Sequence, residues 1–352
     1  MEFRSAAVTG ATGHLGNVLV RELLARGKRV RAVVVEGHDV RPILGLGVER
    51  VMGDVTVPAS LAPAFAGVDV VFHLAGIVSI TGGARERLRR VNVEGTRHVA
   101  AACRAASVRR LVVTSSVHAL TEPGRGGVLD ERSGFDPERA FGDYGRSKAE
   151  ASLAALSAWR EGLDVVLVLP TGVVGPHDYL LSEVGQLVSL FGEGRIHVGL
   201  AGAYDFVDVR DVAVGQLLAC ERGRSGESYL LSGERVSVPQ LFQILSGATG
   251  RPAPRLYVPL SVARAAAVLS PLYERLTRRR SLLTPYAVHA LGIDFAIDDR
   301  KARQELGFTS RPVARALEDA WAWMRDDPQS PLNARTVIGP GRVPVAARPA
   351  AR

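Results

Sequence analysis

The stretch Val8–Val20, VTGATGHLGNVLV, sets glycines at 10, 13 and 16 between a β-branched run and an amphipathic one. SAAVTG reads as a strand, and NVLVRELLARG as a helix closed by Gly27. Glycines so placed suit a turn that lies against a pyrophosphate. Gly10 bends the chain, Gly13 admits close backbone approach and Gly16 lets the helix pack tightly. The first turn of the helix then offers free N–H groups and a partial positive charge to the phosphates.

Outward from this turn the alternation continues. RVRAVVV is a second strand, and VDVVFHLAG, after a helical PASLAPAFAG, is another. VNVEGTRHVAAACRAAS is a long helix, VRRLVVTSS a strand, DYGRSKAEA a helix and LDVVLVLPTG a strand again. Strands separated by helices of about 10 to 15 residues predict a parallel sheet covered on both faces. The expected class is therefore α/β, with a Rossmann-like doubly wound sheet over residues 1–176. A smaller substrate-binding portion is expected over 177–327, with some strands and helices returning to the core. ESYLLSG reads as a short strand of that smaller portion. From Pro328 the chain holds Pro, Gly and Arg without hydrophobic periodicity, so 328–352 reads as a disordered tail.

At 352 residues the chain has room for one large domain or two modest ones. Its 47% hydrophobic and 23% charged residues are those of a soluble globular protein. The net charge of +8 raises the question of nucleic acid. Yet the positive residues are spread out, and no aromatic-basic stretch resembles a stacking platform. Arg335, Arg342, Arg348 and Arg352 follow Asp327 unopposed, and without them the balance is about +4. No nucleic-acid partner is expected. Cys103 and Cys220 lie far apart without metal-like spacing; they read as reduced core thiols, and no metal site is expected. Phe3–Thr9 reads as a first strand rather than a leader. No apolar run approaches the roughly 18 residues of a spanning helix, so the expected location is cytoplasmic.

In DYGRSKAEA, Tyr144 and Lys148 stand four apart on a helix and share a face. Two solvated side chains would show the same spacing, so the pair gains meaning only from its company. With the G-x-x-G-x-x-G turn, it resembles the extended short-chain dehydrogenase/reductase family. GDVTVPASLAPAFAGVDVVFHLAG, VNVEGT, VVTSSVHA, LPTGVVGP, FVDVRDVA, KARQELGF and ALEDAWAWMRD match further blocks, so the resemblance spans about residues 4–327. It implies NAD or NADP held by Gly10, Thr12, Gly13, His14, Leu15 and Gly16, with Glu36 at the ribose and Asp54 and Val55 on the adenine side. Leu74, Ala75 and Gly76 would flank the nicotinamide, with Asn92, Ser115, Pro170, Thr171 and Val173 nearby.

The resemblance also implies hydride transfer, with Tyr144 as the acid/base and Lys148 holding the nicotinamide ribose hydroxyls. Ser116 would orient the carbonyl, with Ser115 as the other candidate. A tyrosine titrates near 10, and the Lys148 ammonium is expected to move Tyr144 toward working pH. Asn92 either holds a water relay or ties backbone together.

Cofactor preference is set at the end of the second strand. Related reductases often carry Arg where Val35 stands, and sugar-nucleotide epimerases Asp near Val34; this chain has neither. Glu36 favours NAD, whereas Arg41 or His14 could meet a 2′-phosphate, and both readings stay open.

For the substrate, nucleotide-sugar enzymes bring an Arg where Tyr204 stands in YDFVDVRD, and many carry Arg in place of Leu169. Lacking that diphosphate clamp, the chain most resembles dihydroflavonol reductase-like and 3β-hydroxysteroid dehydrogenase-like members. A small, largely apolar ketone or aldehyde is the implied substrate, met by Ser116, His118, His177 and Tyr204. A displaced clamp at Arg210 would favour instead a nucleotide-sugar epimerase or dehydratase with tightly held NAD. A non-catalytic dinucleotide sensor is a third alternative, at odds with the presence of both Tyr144 and Lys148. Leu260–Val288, apolar with a basic end at Arg278–Arg280, reads as a core-facing helix, a lid or a peripheral membrane contact. A homodimer through the Tyr144 helix is the remaining expected partner.

Overall fold

Ser5–Thr9 is buried at every position, as the central strand of a parallel sheet should be. In the computed structural model, which describes residues 1–78, 84–270 and 283–338, it pairs with Arg29–Val34 on one side and Val70–His73 on the other. The sheet has seven strands in the order 228–231, 165–170, 110–114, 70–73, 5–9, 29–34, 49–52. Strand order reverses between 5–9 and 70–73, which opens a crevice beyond their carboxyl ends, where open α/β sheets bind ligands.

Both faces are covered, so successive side chains enter opposite cores. Phe72 and Val112 join Leu19, Leu23 and Leu217 on one face; Val71 and Leu111 join Phe65, Val99 and Cys103 on the other. Cys103 and Cys220 are buried and free, and burial pushes both thiols up, Cys220 to about 12. A third core around Phe191, Phe206, Phe242, Leu317 and Trp323 supports a three-stranded sheet of 234–237, 203–208 and 172–174.

The doubly wound architecture read from the sequence is the observed one, with two corrections. ESYLLSG does not join the smaller portion: Ser228–Leu231 pairs in parallel with Leu167–Pro170 and completes the main sheet. A short apolar run looks the same at either place, because periodicity does not name a strand's partner. The reading of 328–352 as disordered also fails in its first part, since Pro331–Ile338 is a helix. Ser330 is fully buried, donates to the Met324 carbonyl and accepts the Asn333 amide, and Pro331 sits where a helix tolerates proline best. Asn333 Nδ2 donates to the carbonyls of Arg325 and Asp327, pinning the segment to the preceding helix. The rest of the proposed tail, 339–352, lies outside the described residues.

Helix Leu260–Ala267 buries Ala263 and Ala267 against Val288, while Val262, Val268 and Leu269 are exposed. The basic end Arg278–Arg280 lies outside the described residues. No helix among the described residues is long and apolar enough to cross a membrane.

Candidate active site

The glycine turn is a cradle that side chains would fill. Gly10 has φ of +70°, and a Cβ there would come within 2.7 Å of the Ala75 nitrogen. A Cβ on Gly16 would collide with the Gly10 carbonyl, and one on Gly13 would approach the same oxygen to 3.3 Å. Thr12 and Leu15 line the turn half-buried. Helix His14–Ala25 starts at Gly13, which has no side chain to cap it, so its first amides are left for an anion. Asn17 braces this end by donating from Nδ2 to the carbonyls of Gly13, His14 and His177 at 2.9–3.0 Å. The cradle fits the pyrophosphate of NAD or NADP.

On the adenosine side Glu36 is exposed in the turn after Arg29–Val34. Both side chains that could meet a 2′-phosphate are already engaged. Arg41 forms an ion pair with Asp39 at 2.6 Å, and His14 Nε2 bonds the Pro176 carbonyl at 3.0 Å. Asp54 Oδ1 accepts from the Thr56 amide and hydroxyl at 2.8 Å, which shapes the turn carrying Val55.

Toward the crevice, the amides of Leu74 and Ala75 are tied to Thr9, the first to its carbonyl and the second to its hydroxyl. Gly76 faces Asn92 and Lys148, whose Nζ a Cβ at 76 would approach to 3.7 Å. Asn92 lies in a π-helical turn, Arg89–Glu94, of the kind that marks functional sites. Its amide bonds both backbone groups of Ile77 and donates to Ser147 Oγ, which places it as a tie between segments. Below it His73 bridges Thr9 and Thr96, and burial holds its imidazole neutral, with the pKa pushed down to about 3. A polar cavity of about 10 Å³ lies between His73 and Lys148, at the threshold for one water. Thr114 lines it, with an Oγ1 that is buried and without a partner among the described residues.

The two serines part company in the structure. Ser115 Oγ bonds Ser152 Oγ at 2.6 Å inside the packing of helix Gly142–Arg160, away from the phenol. Ser116 Oγ accepts the His118 amide at 3.3 Å and lies near enough to the Tyr144 phenol to oppose the rise of its pKa. Pro170, Thr171 and Val173 follow at the end of strand Val165–Pro170 and in its continuation.

The expected lowering of the Tyr144 pKa is not what this arrangement gives. Burial pushes the phenol up to about 12, only partly offset by Ser116, and pushes the Lys148 ammonium down to about 8. Lys148 Nζ donates to the Thr114 carbonyl at 2.8 Å, so the ammonium is anchored to backbone rather than to the phenol. At neutral pH Tyr144 keeps its proton and Lys148 is mostly charged.

His118 and Tyr204 meet as a stacked pair, His118 Nε2 and the Tyr204 hydroxyl 2.6 Å apart. His177 stands apart, against Tyr179 and Trp323 beside the phosphate turn. Arg210 is pinned between Asp208 at 2.5 Å and Asp319 at 2.8 Å, which leaves it unavailable as a clamp. The site gains residues that the sequence did not suggest. Tyr286 packs edge-on against His118 and Tyr144, and Phe141 stacks on His289, which pairs with Glu122. Tyr286 falls within Leu260–Val288, one reading of which is a lid, whereas Phe141, His289 and Glu122 were not singled out.

Comparison with known proteins agrees with this geometry. The model of the NAD dependent epimerase/dehydratase family matches residues 6–232. The chain is 40% identical to sterol demethylase protein B of Methylococcus capsulatus, over 91% of this chain and 98% of that one. It is 34% identical to the 4-hydroxy-2-methyl-3-oxo-4-farnesyl-3,4-dihydroquinoline-1-oxide ketoreductase of Stigmatella aurantiaca, over 89% and 94% of the two chains. The crystal structure of gox2253 superimposes with a TM-score of 0.80 at 32% identity, covering 93% of this chain and 99% of the other. A glycine cradle at the sheet's switch point and family-wide similarity along the chain lead to one assignment: this protein belongs to the NAD-dependent epimerase/dehydratase family, the extended short-chain dehydrogenases/reductases.

Proposed function

We propose that the protein reduces a ketone or aldehyde on a small, largely apolar substrate, with Tyr144, Ser116 and Lys148 as the catalytic residues. The observation that carries this reading is the buried Tyr144 phenol, beside Ser116 and packed edge-on against Tyr286 in an aromatic wall that includes His118 and Tyr204. Bound NADH or NADPH supplies the hydride. Ser116 and Tyr144 donate to the carbonyl oxygen, and as charge develops there the Tyr144 proton moves to it. A phenol kept neutral by burial is in the state that reduction needs. The Lys148 ammonium, which donates to the Thr114 carbonyl at 2.8 Å, would hold the nicotinamide ribose.

Tyr204 in place of an arginine and a pinned Arg210 weigh against a nucleotide-sugar substrate, whose diphosphate needs charge-assisted bonds. The same proposal includes a homodimer through helices Gly95–Ala105 and Gly142–Arg160, where Leu153 and Trp159 are exposed. It also includes peripheral membrane contact through Val262, Val268 and Leu269.

The test begins with freshly purified protein, denatured to identify any released nucleotide, followed by a panel of aromatic and alicyclic ketones with each reduced cofactor. Reversible cofactor binding with ketone reduction supports the proposal. Near-stoichiometric bound NAD without ketone reduction points to an epimerase or dehydratase instead.

A further inference from the structure

Asn17 lies in the first turn of helix His14–Ala25 and is fully buried, a place where a short polar side chain is disfavoured. Its Nδ2 carries two hydrogens and lies 2.9–3.0 Å from three carbonyl oxygens, those of Gly13, His14 and His177. The first two belong to the phosphate turn and its helix, and the third is 160 residues away in the chain. Two neighbours reach the same loop. His14 Nε2 bonds the Pro176 carbonyl at 3.0 Å, and Arg21 donates to the Tyr179 hydroxyl at 3.3 Å. Positions 14, 17 and 21 form one stripe of a helix, so a single face of the cofactor helix grips residues 176–179.

The loop needs that grip. Among the described residues three non-glycines have positive φ, and two of them, His177 at +67° and Leu181 at +52°, lie here. A side chain holds that conformation when its surroundings impose it. Beyond His177 the bonds run on. Asp178, 1% exposed, accepts the amide and the hydroxyl of Ser182 through Oδ2, at 2.8 and 2.6 Å. Ser182 in turn caps helix Glu183–Gly192 by accepting the Gly185 amide at 3.1 Å. That helix sends Val188 and Phe191 into the third core, with Phe242 and Leu317. Hydrogen bonds thus link the phosphate turn to the first helix of the smaller portion.

Gly10, Gly13 and Gly16 shape the cradle through close backbone approach, without help from a side chain. What Asn17 adds is the bond to His177. We propose that Asn17 is a positioning residue, which holds the left-handed turn at His177 and so fixes helix Glu183–Gly192, and the smaller portion with it, against the cofactor cradle. The carbonyl-reductase reading enters at one point, in naming a ketone as what that portion holds.

Asn17→Ser is the test. A serine hydroxyl still bonds a carbonyl within its own helix, but the side chain is one bond shorter and gives up His177. Amide hydrogen exchange, measured without substrate, is expected to speed up about tenfold at Ser182, Gly185 and Gln186, while the strands of the main sheet keep their protection. With NADH and a ketone that wild type reduces, KM for the ketone is expected to rise about five- to tenfold, with kcat and the cofactor Kd moving less than about threefold. Unchanged exchange at 182–186, an equal rise throughout the chain, an unchanged KM, or a cofactor Kd raised as much as KM overturns the proposal. Should Asn17→Ser fail to fold, Tyr179→Phe removes the Arg21 tie, keeps the ring in place and is expected to speed the same amides about threefold; no change there overturns the proposal as well. Wild type that binds cofactor but reduces no ketone counts against the reductase reading alone, and the exchange result then decides the role of Asn17.

Discussion

Replacing Tyr144 by Phe removes one oxygen from the centre of the site and leaves its shape. The phenol is buried beside the Ser116 hydroxyl, and its ring packs edge-on against Tyr286. In Tyr144→Phe the Ser116 oxygen still accepts the His118 amide at 3.3 Å, so it is not left without a bond. The stability change should therefore stay within about 1 kcal/mol. Catalysis should suffer far more. A positioned general acid contributes about 10²–10⁴ in rate, and one donor to a developing oxyanion about 10²–10³. Tyr144 does both with one proton, so the terms overlap rather than multiply, and a loss of about 10³ to 10⁴ in kcat follows, or roughly 4–5 kcal/mol on the barrier. The cradle at Gly10, Gly13 and Gly16 and the Lys148 ammonium are untouched, so the cofactor Kd should move less than about threefold. Reduced-nicotinamide absorbance gives the rate and fluorescence titration the Kd. A variant rate within tenfold of wild type would refute the assignment of Tyr144 as the proton donor.

Ser116→Ala should lower kcat by about 10- to 100-fold, whereas Ser115→Ala, which breaks the 2.6 Å bond to Ser152, should lower the melting temperature with little effect on kcat; the reverse pattern would exchange their roles. Lys148, with its pKa pushed down to about 8, loses its charge above that pH, so kcat/KM should fall on an alkaline limb near 8; a profile flat to pH 10 would contradict its role as an ammonium. His73 titrates near 3 when folded and near 6.5 when unfolded. Between those values only the unfolded chain takes up its proton, so stability is lost as pH falls through this window, and His73→Gln should flatten the slope of denaturation midpoint against pH. With Arg41 paired to Asp39 and His14 bound to the Pro176 carbonyl, NADH should bind at least about tenfold more tightly than NADPH; titrations showing the opposite order would mean that Arg41 leaves Asp39 for the 2′-phosphate.

Much of the frame was legible because its cause is local. Three glycines fix a turn through φ and close approach, and apolar runs fix strands buried on both faces; alternation of strand and helix fixes a parallel sheet. Tyr144 and Lys148 were legible because a helix puts residues four apart on one face. What the sequence could not settle depended on contacts across the chain. Ser115 and Ser116 are adjacent, and only their neighbours, Ser152 for one and Tyr144 for the other, separate them. Arg210 looked free until Asp319, more than a hundred residues later, was seen to hold it. The direction of the Tyr144 pKa also reversed. Spacing puts an ammonium on the phenol's helix face, but the fold anchors it to the Thr114 carbonyl, and burial, a property of the folded whole, pushes the phenol up. Tyr286 lies inside Leu260–Val288, one reading of which is a lid, but nothing local singles it out, since only the fold lays it against Gly142 and His118. The sequence by itself determined the parallel sheet apart from its last strand, the glycine turn and the Tyr144–Lys148 spacing, which rest on short-range periodicity and backbone geometry. Tertiary structure alone decided which serine lies beside Tyr144 and which basic side chains are already engaged, because desolvation and pairing depend on residues far apart in the chain.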